Sequence, residues 1–158
     1  MEHSMKNVGY FLVPILAGFL VGYLSSLVQS EAIMTWYPSL VKPSLTPPNS
    51  VFPIAWSTIY ILSGASLGLV LRTADIRKPT LIVLFIIQLA LNFLWCLVFF
   101  NMRNPVGGMA IIVVLLIVLL AYVALAWRVT KWSAWLFLPY IAWVCFATYL
   151  NAYIWMNN

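Results

Sequence analysis

The sequence predicts an all-α integral membrane protein, a bundle of five transmembrane helices with its N-terminus inside. Three observations carry this. Of 158 residues, 65% are hydrophobic and only 7% are Asp, Glu, Lys or Arg, whereas a soluble domain needs about a quarter of its residues charged to meet water. The mean hydropathy is +1.02. The length holds a single domain, 9–156, made of about five spans of roughly 20 residues with little left for loops.

The first span is 9–28, apolar throughout, too long for a signal peptide's apolar core and followed by no small-residue cleavage site. Residues 1–8 before it hold a second methionine, Met5, and the only histidine, His3, and read as a disordered start or a cloning scar. The segment 29–50 is the one long connection, because Pro38, Pro43, Pro47 and Pro48 exclude a long regular helix. The second span is 51–71, with Pro53 in the first turn, where a helix tolerates proline. A polar break containing Arg77, Lys78 and Pro79 leads to the third span, 80–101. A tight turn at 102–105 leads to the fourth, 106–127, and a break at 128–133 leads to the fifth, 134–156.

Short cytoplasmic loops retain Lys and Arg. One side of this topology holds Lys6, Arg72, Arg77, Lys78, Arg128 and Lys131, and the other only Lys42 and Arg103. The N-terminus is therefore expected inside, and the proline-rich loop and the C-terminus outside. The same bias, with attraction to anionic lipid, accounts for the net charge of +5. Membrane lipid is thus the expected partner, and no basic face is left for nucleic acid.

Little conventional chemistry fits this composition. The acids are only Glu2, Glu31 and Asp75, too few for paired-carboxylate catalysis. Cys96 and Cys145 sit in apolar runs, where a thiol behaves as a small hydrophobe. No phosphate-binding loop, zinc-ligand spacing or nucleophile–base arrangement occurs, and no metal is expected. No span contains a charge, which argues against proton relays and charge-coupled transport.

The tryptophans divide by depth. Trp127, Trp132 and Trp135 fall near the inner boundary and Trp155 near the outer one, as an interfacial belt does. Trp56, Trp95 and Trp143 lie deeper. Trp143 is about 13 Å below the inner boundary at the rise of a helix, near the middle of a hydrocarbon core of about 30 Å. An indole N–H at that depth wants a partner. Gln88, Asn92, Trp95 and Phe99 share a face of the third span. Pro53, Trp56, Tyr60 and Ser63 share one on the second, and Pro139, Trp143, Ala147 and Asn151 one on the fifth, where Ala147 leaves a gap.

The fourth span has no polar side chain over 110–121 and suits an outer wall. The three other faces suggest an aromatic pocket in the outer half, roofed by the loop, that takes a large flat apolar ligand with one or two polar edges. The alternative is that Gln88, Asn92 and Asn151 only hydrogen-bond between helices. Gly18-x-x-x-Gly22 and Gly64-x-x-x-Gly68 allow close helix approach, either inside the bundle or at a homodimer contact.

These residues resemble a known family. The loop Trp36-Tyr37-Pro38-Ser39-Leu40-Val41-Lys42-Pro43-Ser44-Leu45-Thr46-Pro47-Pro48 is followed by Phe52-Pro53-x-x-Trp56-x-x-x-Tyr60, by Ala90-Leu91-Asn92-x-x-Trp95 and by Leu138-Pro139-Tyr140-x-x-Trp143-x-x-x-Ala147-Thr148-x-Leu150-Asn151. Four separated motifs in this order resemble the tryptophan-rich sensory protein family, whose mitochondrial members are called translocator protein or peripheral benzodiazepine receptor.

The resemblance implies a five-helix membrane receptor, often homodimeric, that needs no cofactor. It implies binding of tetrapyrroles such as protoporphyrin IX and of isoquinoline carboxamide and benzodiazepine-type ligands. In bacterial members it further implies light- and oxygen-dependent breakdown of protoporphyrin. Carried over by motif, Trp56 and Asn92 would bond ligand oxygens, and Trp56 and Trp143 would be the tryptophans needed for degradation. Trp36, Tyr37, Tyr60 and Ala147 would line the cavity. The cholesterol motif of mitochondrial members, Leu then Tyr then a basic residue, lacks its base in Leu150-Asn151-Ala152-Tyr153-Ile154-Trp155-Met156, which favours a bacterial plasma-membrane member. Two further readings stand beside this one: a porphyrin carrier or sequestering protein without catalysis, and a structural subunit without a ligand.

Overall fold

A computed structural model describes residues 2–158, with side chains from Asn7 onward. Helix α1 spans Glu2–Thr35, α2 Val51–Leu71, α3 Lys78–Cys96, α4 Pro105–Trp127 and α5 Lys131–Asn157, with a 3-10 turn at Tyr37–Ser39 and a π-helical turn at Leu97–Asn101. Five helices are long and apolar enough to cross a membrane, and no strand occurs among the described residues.

The helix boundaries follow the prolines and caps. Pro53 and Pro79 sit in the first turns of α2 and α3. Pro105 opens α4 behind Asn104, whose side-chain oxygen accepts from the Gly107 N–H at 2.9 Å. Pro14 in α1 and Pro139 in α5 each delete one helical hydrogen bond, a loss that packed transmembrane helices tolerate.

Two expectations change at α1. The helix continues through residues 29–35, so the connecting loop starts at 36 instead of 29. Nothing in 29–35 is Gly or Pro, and the first helix-stopping signal is Pro38, which also disfavours helical backbone in the residue before it. At the other end, the backbone of residues 2–8 is helical and not a disordered start, since extending a nucleated helix across residues without Gly or Pro costs little.

The helices close a ring. α1 packs on α2, α2 on α5, α5 on α4, and α4 on α3 and its π turn, which packs back on α1. Both small-residue motifs serve the α1–α2 seam. A Cβ on Gly64 would sit 2.7 Å from the Ile15 backbone nitrogen, and one on Gly68 would sit 2.4 Å from the Phe11 ring. Gly18 and Gly22 seat the ring of Tyr60. The motifs thus pack the bundle internally.

The half of the bundle away from the 36–50 loop is solid. Val70, Leu81, Leu119, Tyr122 and Phe137 are completely enclosed there, and Tyr122 stacks on Phe137 with centroids 4.1 Å apart. A buried polar node ties three helices together in that half. Ser66 Oγ donates to the Ser133 carbonyl at 2.8 Å and lies 2.8 Å from Ser133 Oγ and 3.1 Å from the Tyr122 hydroxyl. Such bonds contribute about 0.6–1.7 kcal/mol each in a bundle. α4 turns Val113, Val114, Ile117 and Leu120 outward, as an outer wall does.

The π turn is invisible in the pattern Leu97-Val98-Phe99-Phe100-Asn101. Met102 N–H reaches back five residues to the Leu97 carbonyl at 2.9 Å. The wider turn brings both Phe99 and Phe100 to the inside, where both are buried. It ends at Arg103, which has a φ of 50° and pairs with Glu31 at 2.9 Å.

Candidate functional site: an aromatic cavity under the loop

α1, α3 and α5 end, and α2 and α4 begin, beneath the 36–50 loop. A cavity of about 560 Å³ opens in this half, within the range of about 300–1,000 Å³ typical of small-molecule sites. Its walls come from the second half of α1, the end of α3, the π turn, α5 from its middle onward and the first turns of α2, with Tyr37 and Asn49 of the loop. α4 contributes none of its lining.

Tryptophans dominate one side. On α2, Trp56 stacks on Tyr60 with centroids 5.9 Å apart and planes at 27°. The Trp143 ring of α5 meets Trp56 edge to face at 6.5 Å and Phe52 at 5.7 Å. Trp95 stacks on Phe99 at 5.2 Å on the α3 side. Ala147 leaves open the space one turn beyond Trp143.

The polar groups fall into two kinds. Asn151 has both ends of its amide engaged: Oδ1 accepts from the Trp95 indole N–H at 3.1 Å and Nδ2 donates to the Pro105 carbonyl at 2.8 Å. It fastens α5 to α3 and α4. Asn92 Nδ2 donates to the Tyr140 hydroxyl at 3.1 Å, which donates to Gln88 Oε1 at 2.7 Å. Asn92 Oδ1 is left free as an acceptor on the cavity wall. Among the described residues the indole N–H groups of Trp56 and Trp143 also have no hydrogen-bond partner, and both residues line the cavity with Asn92.

Tyr37, Trp56, Tyr60, Asn92, Trp95, Trp143, Ala147 and Asn151 all line this cavity. Two residues expected with them do not. Gln88 shares the Asn92 face but sits one turn deeper, fully buried behind Tyr140. Trp36 packs edge to face on Phe99 at 5.7 Å, in the cluster that holds the loop down. Its neighbour Tyr37 faces inward. The Lys42 ammonium donates to the Tyr37 carbonyl at 2.6 Å and lies 4.7 Å from its ring centroid. Burial pushes the Tyr37 phenol above its ordinary value, so it stays protonated.

The wall that sequence reasoning missed is α1. Phe19, Gly22, Ser25, Ser26, Gln29 and Ile33 face the cavity. Their spacing of three and four residues was the available signal, but small side chains inside an apolar span do not stand out. Phe99 belongs to the expected Asn92–Trp95 face; Phe100 joins it because the π turn shifts the helical register, and Cys96, one turn beyond Asn92, was passed over as a small hydrophobe. Among the described residues no Asp, Glu, His, Lys or Arg lines the cavity.

Residues 10–156 match the family described as the TspO/MBR family. The chain is 34% identical over 152 residues to the tryptophan-rich protein TspO of Archaeoglobus fulgidus, covering 96% of this chain and 99% of the relative. It is 40% identical over 134 residues to the tryptophan-rich protein TspO of Chlorobaculum tepidum, covering 83% and 84%. To the human translocator protein it is 36% identical over 156 residues, covering 96% and 89%. The chain, a five-helix bundle with an aromatic cavity under its first loop, belongs to the TspO/MBR family.

Proposed function

We propose that the cavity binds a flat, mainly apolar ring, a tetrapyrrole such as protoporphyrin IX, and promotes its light- and oxygen-dependent degradation. Isoquinoline carboxamide and benzodiazepine-type ligands compete for the same space. The observation that carries this reading is the pair of indole N–H groups without partners, those of Trp56 and Trp143, whose rings meet at right angles on one side of the cavity. Rings stack on those aromatic faces, and the indole donors take the ligand's carbonyl or carboxylate oxygens. Asn92 supplies the complementary acceptor. The charge bias supports an N-terminus inside and a loop outside, and the missing basic residue after Leu150 and Tyr153 supports a bacterial plasma membrane.

The ligand brings the light absorption, and dissolved oxygen is the oxidant. The excited ring takes one electron from an indole in contact with it and passes that electron to oxygen as superoxide. The indole radical cation recovers an electron from the ring. The ring radical cation so formed combines with superoxide, both oxygen atoms adding across a methine bridge as its carbon–carbon bond breaks. The protein's part is to hold the ring against Trp56 and Trp143 and to exclude water.

Titration of the detergent-solubilised protein with protoporphyrin IX tests the binding step. Saturable quenching of Trp fluorescence and a rise in melting temperature are expected, and Trp56→Phe weakens both. Absence of quenching and of any thermal shift rejects the reading.

A further inference from the structure

α1 carries four serine and threonine hydroxyls in its second half, and three of them behave as hydroxyls in helices usually do. Ser26 donates to the Tyr23 carbonyl at 2.6 Å, Ser30 to the Leu27 carbonyl at 3.1 Å, and Thr35 to the Glu31 carbonyl at 2.9 Å. Ser25 differs. It is 4% exposed, its Oγ is buried with no hydrogen-bond partner of ordinary strength, and the residue is part of the cavity lining. The nearby polar side chain on α3 is the Cys96 thiol, which is at most a weak partner. Gln88 Nε2 is likewise buried without a partner, but Gln88 does not reach the cavity.

A buried hydroxyl left unpaired weakens the fold that contains it. Ser26 and Ser30 close on α1 carbonyls, and Ser25 does not. An anchor waiting for a ligand has this arrangement: poor pairing in the empty protein, completed by an acceptor on what enters. The indole donors come from α2 and α5 and Ser25 from α1, so a ring held by both is polar on more than one edge.

We propose that Ser25 is a ligand-anchoring residue whose hydroxyl donates to an oxygen acceptor, carboxylate or carbonyl, at the edge of the bound ring that faces α1. This rests on the porphyrin reading above and extends it to a wall of the cavity that the tryptophan motifs do not include.

The test compares protoporphyrin IX with a porphyrin carrying only alkyl substituents, using Trp quenching on wild type, Ser25→Ala and Ser30→Ala. Ser25→Ala is expected to weaken protoporphyrin IX by about 5- to 10-fold, the size of one hydrogen bond, and to leave the alkyl porphyrin unchanged. It is also expected to raise the melting temperature of the ligand-free protein, because an unpaired polar atom is removed. Ser30→Ala, whose hydroxyl is closed on its own helix, changes neither affinity. An unchanged protoporphyrin affinity, an equal loss for the alkyl porphyrin, or a lower melting temperature would overturn the proposal. If wild type binds neither porphyrin, the proposed function fails, and Ser25 is then decided with an isoquinoline carboxamide, whose carbonyl is the acceptor. A 5- to 10-fold loss there keeps the anchor, and no loss or no binding removes it.

Discussion

The Trp56 and Trp143 rings meet edge to face, with centroids 6.5 Å apart and planes at 84°. One comes from the start of α2 and the other from the middle of α5, so the contact exists only because the bundle closes. The pair forms a corner, two perpendicular aromatic planes with both indole N–H groups unbonded. A flat ligand can stack on one plane and meet the edge of the other.

The two cavity asparagines are expected to fail in opposite ways. Asn151→Ala strands the Trp95 indole N–H and the Pro105 carbonyl, and should cost about 1–3 kcal/mol, read as a lower melting temperature without ligand. Asn92→Ala leaves Tyr140 still bonded to Gln88, so thermal stability should change little while affinity falls.

Ala147→Leu fills the gap beyond Trp143. Ligand affinity should drop by at least about 10-fold, equal to about 1.4 kcal/mol, while the ligand-free protein keeps its melting temperature. Equal binding by both proteins would place the ligand elsewhere.

The α1–α2 seam gives a graded glycine series. Gly64→Ala drives a Cβ to 2.7 Å from the Ile15 backbone nitrogen, which a rotamer change cannot relieve, so a loss of about 1–3 kcal/mol is expected. Gly22→Ala meets only the Tyr60 ring, at 2.5 Å, and should push that ring into the cavity, lowering affinity more than stability. Gly9→Ala has nothing within 4 Å and should not destabilise. Thermal unfolding and quenching titrations of the three variants separate these outcomes.

Because no Asp, Glu, His, Lys or Arg among the described residues lines the cavity, no described lining side chain has an ordinary titration near neutrality. The affinity for an uncharged isoquinoline carboxamide should therefore be flat between about pH 6 and pH 8. A titration curve in that window would require an ionisable group that the cavity does not present.

Much of this site was readable from spacing. Trp56 with Tyr60, Asn92 with Trp95, and Trp143 with Ala147 are large or polar residues at helical intervals in otherwise aliphatic spans, and such residues have to face one another. Gln88 misled because a shared helix face does not give depth: one turn from Asn92, it reaches Tyr140 instead of the cavity. Asn151 satisfied both readings, lining the cavity while its amide holds helices together.

What stayed hidden was of two sorts. Ser25 and Gly22 leave no mark in a hydropathy pattern, although they shape a whole wall. The π turn at Leu97–Asn101 depends on one displaced backbone bond, and an apolar run carries no periodic marker of that. The extension of α1 to Thr35 was legible in principle, from the absence of Gly and Pro before Pro38.

The most direct measurement follows the protoporphyrin IX absorption band in aerated solution under illumination, with wild type, Trp56→Phe and Trp143→Phe side by side. The cavity account predicts that the band decays with wild type, stays with Trp143→Phe, and is unchanged for wild type in the dark. Decay at the same rate with wild type and both variants would contradict it, leaving a cavity that holds the ring without acting on it.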